Sequence, residues 1–293
     1  MILINSHTLI NNSTLLGMLS QKWPDIPIDH WKIKSLTGLT QGSHHITDGV
    51  RQMVGRRQSR HSGTLGINRQ RENRILRRLS FVGIAPKVLA INHEWLLLEW
   101  LTGTKVTAET FGLPLFQQTL AKMLASLHQR PPLGYPLRFK QQMASQWQQL
   151  DKRRLSPGWL RWHKCFMAAK LPSPIKIAPA HLDVHPDNLF ITPDGLKLID
   201  WEYAADVDIG FSLATLFAGS QWDERQQQIF LDYYCHYSSN YIDAVLLQQK
   251  IRQWQRWVRY MMLMWYEVRW QQTNDPQFLA LARPLRLNFK LTF

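Results

Sequence analysis

One stretch constrains this chain more than any other. It reads His181-Leu-Asp-Val-His-Pro-Asp-Asn188, then Leu189-Phe-Ile-Thr192, Pro193-Asp-Gly195 and Leu196-Lys-Leu-Ile199, and it ends on Asp200-Trp-Glu-Tyr203. Two short apolar runs around Pro-Asp-Gly predict a β-hairpin, because proline and glycine supply the turn's backbone angles. The sequence on either side has a helical period. Leu120, Met123, Leu124 and Leu127 mark a helix over Leu115–His128 that Arg130-Pro131-Pro132 ends. Further helices are predicted around Gln141–Leu150, Gly158–Ala169, Asp223–Tyr237 and Ala244–Trp270. The hairpin and its polar loop therefore interrupt a helical region.

The first hundred residues differ in character. Trp31–Lys34 alternates apolar and polar residues, as a half-buried strand does. A loop with Gly38 and Gly42 follows, and Asp48-Gly49 is a turn between His44–Thr47 and Arg51–Val54. Ile67–Leu79 suits an amphipathic helix, and Val88–Ile91 and Trp95–Leu101 read as strands joined at Asn92-His93. The expected fold class is α+β and bilobal. A small β-rich N-lobe over 1–102, with 1–29 as an N-terminal extension, precedes a larger helical C-lobe over 103–293. The link is expected near Glu99–Gly103, and a cleft between lobes is the natural ligand site.

Composition narrows the partners. The 35 Lys+Arg against 21 Asp+Glu give +14, which attracts nucleic acid, anionic lipid or nucleotide phosphates. Cys165 and Cys235 form no Cys-x-x-Cys pair, which argues against a zinc ribbon or redox dithiol; both are expected as free, buried thiols in a reducing compartment. No Lys or Arg precedes Lys22, and Asn5, His7, Asn11 and Asn12 break any apolar run, so no secretory signal is read. Tyr260–Tyr266 is too short to span a bilayer. The expectation is a soluble, cytoplasmic protein without a membrane partner.

The polar residues of the hairpin segment suit phosphoryl transfer. That reaction needs a carboxylate for the attacking hydroxyl, oxygen ligands for Mg²⁺, and donors for the phosphates. His181-x-Asp183-x-x-x-x-Asn188 followed by Ile199-Asp200 supplies the first two. Asp183 is the expected base. Asn188 and Asp200 are the expected metal ligands, and a pair so small fits an ion that keeps phosphate and water in its shell. His181 is expected to brace the loop, and His185 carries no assigned role.

This motif, with Ile199-Asp-Trp-Glu-Tyr203, resembles the catalytic and metal loops of the aminoglycoside phosphotransferase and choline kinase family, relatives of the protein kinases. The likeness runs over about residues 30–285. It implies that Asp183 is the catalytic aspartate, that Asn188 and Asp200 bind Mg²⁺, and that ATP is the co-substrate. Asp208 resembles the aspartate that supports the catalytic loop, and it also stands where an N-cap would for a helix at Ile209. Gly38, Gly42 and Ser43 are expected to bring backbone N–H groups to phosphate. A Lys or Arg on the next strands touches the phosphates in this family. Arg56 is the candidate here, with Arg57 second, although Gly55 displaces Arg56 from the expected register. Glu72 resembles the helix glutamate that pairs with that cation. The backbone around Glu99 and Leu101 is the expected adenine contact.

For the acceptor, Gly158–Arg161, Leu198–Ala204 and Trp265–Phe278 resemble the branch of the family that phosphorylates thiamine. That implies thiamine monophosphate and ADP as products. Choline or another amino alcohol is the alternative, because Trp254, Trp257, Trp265, Tyr266 and Trp270 could hold either cation by stacking or could simply pack the core. An aminoglycoside is disfavoured by late helices poor in acids, where Glu267 and Asp275 are among the few. A reading of another class is a nucleic-acid-binding protein, suggested by +14 and by Arg69, Arg71, Arg74, Arg77 and Arg78. Such a protein would not need Asp183, Asn188 and Asp200 together, so a small-molecule partner and no nucleic acid are expected.

Overall fold

The computed structural model describes residues 15–36, 42–58, 66–238 and 243–291. The chain divides into two compact units. Among the described residues, the first comprises 15–58, Asn68–Thr104 and Phe190–Glu202, and the second 66–67, Lys105–Leu189 and everything from Tyr203 on. The 190–202 segment thus leaves its sequence neighbours and clusters with the N-terminal strands.

The first unit is built on a five-stranded antiparallel sheet. Its strands are β1 (Lys32–Ser35), β2 (Ser43–Thr47), β3 (Gln52–Arg57), β4 (Val88–Ile91) and β5 (Trp95–Glu99), in the order β1-β2-β3-β5-β4. The β2–β3 turn forms where Asp48-Gly49 predicts it. Gly49 has φ +95°, and Asp48 Oδ1 accepts from the N–H groups of Val50 (2.9 Å) and Arg51 (2.6 Å). Gly55 in mid-strand has a packing cause, since a Cβ there would lie 2.6 Å from Ile46 Cδ1. A helix over residues 15–22, α1, sets Leu15, Met18 and Leu19 against Trp31, Ile46, Met53, Trp95 and Leu97 to form the core of the unit.

Helix α2 (Arg69–Leu79) starts at Asn68, whose side chain accepts from Arg71 N–H at 2.9 Å. It buries Ile75, Leu76 and Leu79 as its periodicity predicts, and Glu72 with them. After the two-residue strand β6 (Thr104–Lys105), the chain returns to this unit through the hairpin β8–β9 (Leu189–Thr192 and Gly195–Leu198), numbered with β7 and β10 below. Gly195 closes its turn at φ +106°, and Leu198 N–H donates to Ile84 C=O at 2.7 Å.

The second unit is helical: α3 (Ala108–Gly112), α4 (Pro114–His128), α5 (Phe139–Gln148), α6 (Pro157–Ala168), α7 (Ile209–Ser220), α8 (Glu224–Tyr237), α9 (Ala244–Thr273) and α10 (Pro276–Asn288). Helix α4 packs on α8, and α9 packs on both α7 and α10. Two short strands, β7 (Ile177–Ala180) and β10 (Ala205–Asp208), pair antiparallel with Ala180 opposite Ala205. Helix α7 is buried on nearly every side, so it lacks the one-sided apolar stripe that marks the other helices.

One buried polar chain in this unit runs through His128. His128 is 2% exposed, with Nδ1 at 2.8 Å from Tyr234 Oη and Nε2 at 3.1 Å from Ser212 Oγ. Burial, with the charge of Lys176 behind it, lowers its pKa to about 3. Both cysteines are free, but the expectation of burial fails: Cys165 is exposed and Cys235 half-buried. Helix α6 buries only Trp159 and Phe166, leaving Cys165 off that face. Among the described residues no helix is long and apolar enough to cross a membrane.

Candidate active site

The loop after β7 carries the first group of site residues, all in the second unit. Ala178 and Ala180 are buried, so the strand is a fixed stem for the residues that follow. Asp208 anchors the start of that stem. One carboxylate oxygen accepts from Ile175 N–H (2.9 Å) and Lys176 N–H (3.3 Å), and the other from Trp254 Nε1 (2.7 Å). Asp208 also stands at the N-cap of α7, but its side chain makes no capping bond, because these three donors occupy it. Asp206, which the sequence did not single out, accepts from the N–H groups of Leu133 and Tyr135, both at 2.7 Å.

His181 is 1% exposed, and its Nδ1 accepts from Asp183 N–H at 3.2 Å. Between them Leu182 takes φ +68°, a left-handed conformation that costs a residue with a Cβ about 1–3 kcal/mol. Asp183 emerges with its side chain 37% exposed. Pro186–Asn188 then makes one tight turn, closed by Asn188 N–H donating to His185 C=O at 3.0 Å.

The amide nitrogen of Asn188 is committed to its neighbours. It lies 2.9 Å from Asp183 O, 3.0 Å from Asp183 Oδ2 and 3.0 Å from His185 Nε2. Oδ1 meets no donor among the described residues. Asn188 thus offers a neutral oxygen suited to a hard cation, whereas its nitrogen braces the Asp183 carboxylate. On α9, Trp265 Nε1 donates to Tyr203 Oη at 2.9 Å, and burial, reinforced by the Asp183 charge, raises the Tyr266 hydroxyl above its ordinary pKa. Trp254 and Trp257 are 6% and 7% exposed and pack the core with Phe139, whereas Trp265, Tyr266 and Trp270 stay half-buried.

The second group lies in the first unit. Arg56, on β3, is 4% exposed and points into a cluster of carboxylates. Its Nη1 donates to Glu72 Oε1, and its Nη2 to Asp200 Oδ1 and Glu202 Oε2, each at 2.6 Å. Arg69 adds bonds to Glu72 Oε2 (2.6 Å) and Glu202 Oε2 (2.9 Å), and Arg71 Nη2 donates to Glu202 C=O at 2.8 Å. Burial alone would lower the Arg56 pKa; the charges of Asp200, Glu72 and Glu202 outweigh it and raise it. Glu202 is 1% exposed. Burial first and the Asp200 charge second push its carboxyl up to about 7, against the pull of Arg56 and Arg69. Asp200 takes φ +66° and keeps 25% exposure. The sequence reading gave Glu202 no role beyond its place in the motif and set Arg69 in a basic patch; their closeness to Asp200 and Glu72 along the chain was the signal for this cluster.

The expected nucleotide residues are placed as follows. Gly42 has φ +114°, and its C=O accepts from Arg57 N–H at 2.8 Å. Ser43 opens β2 opposite Arg56, and Gly38 lies outside the described residues. Arg57 is one-third exposed, with Nη2 at 3.9 Å from Glu94 Oε2. Glu99 is tied to Lys87, whose N–H donates to Glu99 Oε1 and whose C=O accepts from Glu99 N–H, both at 2.9 Å. The backbone of Leu101 meets no partner among the described residues, which leaves it able to bond a planar base.

A β-rich unit with a buried arginine–glutamate pair, and a helical unit with an Asp-x-x-x-x-Asn loop, define a phosphotransferase of the protein-kinase-like fold. Residues 40–247 match the phosphotransferase enzyme family, and the chain belongs to it. It is similar to the thiamine kinase of Salmonella paratyphi A, 38% identical over 212 residues that cover 72% of this chain and 73% of that one. In fold it is similar to the choline kinase LicA from Streptococcus pneumoniae (TM-score 0.74, 17% identity, 96% of this chain and 97% of that one). It is also similar in fold to an ethanolamine kinase of Plasmodium vivax (TM-score 0.72, 17% identity, 99% of this chain and 91% of that one).

Proposed function

We propose that this protein transfers the γ-phosphoryl group of ATP to the primary hydroxyl of thiamine, giving thiamine monophosphate and ADP. The observation that carries the chemistry is the Asp183–Asn188 pair, in which one amide nitrogen steadies the carboxylate and leaves the amide oxygen unengaged. The choice of thiamine is supported by the 38% identity to a thiamine kinase and by half-buried aromatics near Asp183 on α9.

In this reading Asp183 accepts the proton of the acceptor hydroxyl as its oxygen attacks the γ-phosphorus. The new O–P bond forms, the bond from that phosphorus to the β,γ-bridging oxygen breaks, and ADP leaves with that electron pair. His181 and Asn188 keep Asp183 oriented, so reorganisation at the moment of transfer is small. Asn188 and Asp200 are the residues that would hold Mg²⁺, one through a neutral oxygen and one through a carboxylate. The bound ion supplies charge neutralisation on the phosphate oxygens. Leu101 offers backbone groups to adenine, and Gly42 and Ser43 border the phosphates. The thiazolium ring is a delocalised cation that aromatic faces such as Trp265 and Tyr266 hold by stacking. An ATP-dependent reaction of this kind belongs in the cytoplasm, the location we assign to it.

Asp183→Asn is expected to lower turnover by roughly 10²–10⁴-fold with ADP affinity retained, because only proton acceptance is lost. Unchanged turnover would remove Asp183 as the base. Thermal shift with Mg-ATP and either thiamine or choline tests the acceptor. Stabilisation by choline but not by thiamine would replace the substrate and leave the reaction class standing.

A further inference from the structure

His185 is the catalytic-loop side chain to which neither sequence nor reaction gives a part. Its ring is 31% exposed, with Nε2 3.0 Å from Asn188 Nδ2 and 3.5 Å from Asp183 Oδ2, and with Nδ1 3.9 Å from Asp187 Oδ2. The contact is built by the backbone. Pro186 fixes φ at the start of the tight turn, and Asn188 N–H to His185 C=O closes it at 3.0 Å, which returns the Asn188 side chain to the His185 ring.

Elementary donor and acceptor chemistry then fixes both groups. Asn188 faces Asp183 O and Oδ2, two oxygens that would repel an amide oxygen, so its nitrogen end must point toward them. An amide N–H in turn repels a ring N–H, so His185 Nε2 presents its lone pair to Asn188. The two N–H bonds of one amide therefore have acceptors on two residues. Asp183 supplies two of the three acceptors within 3.0 Å of Asn188 Nδ2 and His185 the third, so loss of the ring leaves the amide held by one residue instead of two and freer to turn about its terminal torsion.

We infer that His185 is a positioning residue for the metal: by accepting from Asn188 Nδ2 it holds the side-chain amide so that Oδ1 presents itself to the cation. This rests on the reading of Asn188 as a Mg²⁺ ligand. Groups that orient a ligand in this way change metal affinity by about 10–100-fold when removed.

The test uses Mn²⁺ as the probe, bound to the protein–ADP complex without acceptor and read by electron paramagnetic resonance. His185→Leu is expected to weaken Mn²⁺ binding about tenfold or more. His185→Gln, whose amide oxygen reaches about where Nε2 stood, is expected to restore most of it. Metal-free ADP affinity and the KM for thiamine should hold in both, while the Mg²⁺ concentration for half-maximal turnover follows the Mn²⁺ result. Wild-type Mn²⁺ affinity in the leucine variant, a glutamine variant as weak as leucine, or equal loss of ADP with and without metal would each overturn the inference. If the leucine variant does not fold, His185→Ala is read by the same criteria. Asn188→Ala separates this inference from the reading beneath it. If that variant keeps Mn²⁺, the metal assignment falls and the role of His185 falls with it; if it loses Mn²⁺ and His185→Leu does not, only the present inference fails.

Discussion

Each unit of this chain buries a cluster of arginines and carboxylates, and the two are built on opposite plans. In the second unit a single carboxylate, Glu267, is held by two guanidiniums. Arg154 Nε donates to Oε2 at 2.6 Å, and Arg154 Nη2 and Arg286 Nη1 donate to Oε1 at 2.9 and 2.8 Å. Arg286 also stacks on the Trp159 ring at 4.9 Å. Both oxygens are engaged, so the cluster clamps α9, α10 and the segment before α6. In the first unit three carboxylates crowd two fully buried guanidiniums, and Glu202 Oε1 is buried without a partner. A carboxylate with both oxygens engaged resists change; a cluster with a spare buried acceptor can take up further positive charge. The first suits a scaffold, and the second fits the cation site proposed at Asp200. The pairing also bears on the acceptor, because Glu267, one of the few late-helix acids, already has its charge matched by arginines.

Paired substitutions test that contrast. The largest effect is expected for Glu267→Gln, whose NH₂ would face a guanidinium in place of an oxygen. A loss of about 3 kcal/mol in urea unfolding is expected, since breaking one side of a buried ion pair strands the other. Next comes a pH effect in the same unit. The neutral, buried His128 has its pKa depressed to about 3 from 6.5, so below pH 6.5 the unfolded chain takes a proton that the folded one refuses. Stability from this residue is complete above pH 6.5 and falls as pH drops toward 3, by about 2 kcal/mol between pH 7 and pH 5. His128→Gln should lack that component, so the wild-type loss over this interval should exceed the variant's by that amount. Equal losses would show that His128 is not held neutral. The smallest effect is expected for Glu202→Gln. Its remaining oxygen can still accept from Arg56 and Arg69 while the NH₂ replaces an oxygen that accepts nothing, so the cost should be under about 1 kcal/mol. If it costs as much as Glu267→Gln, the two clusters are of one kind and the contrast collapses.

Much of this was legible beforehand, and the misses have physical causes. Helix α4 was readable because Leu120, Met123, Leu124 and Leu127 form one buried stripe. Of helix α7 only the start at Ile209 was read and not its extent, because it is apolar all round and periodicity needs a polar face to show against. The Asp48-Gly49 and Pro193-Asp194-Gly195 turns were readable from backbone preference alone. Gly55 was taken as an offset in register, whereas the close approach of Ile46 from the neighbouring strand explains it. Arg56 was read as facing phosphate. It pairs with Glu72, as the resemblance implied, and also with Asp200 and Glu202, two partners that no local pattern encodes.

What the sequence by itself determined is whatever lies within one turn or one hairpin. Asp183 and Asn188 are five positions apart, and the tight turn between them nearly dictates their meeting. The tertiary structure alone decided that Asp200 and Glu202, 144 and 146 positions away, join Arg56. It also decided that residues 190–202 join the N-terminal strands. Short-range geometry is fixed by backbone angles that each residue type prefers, and these can be read in order along the chain. Long-range pairing is fixed by which surfaces bury each other best, and that is a property of the folded whole.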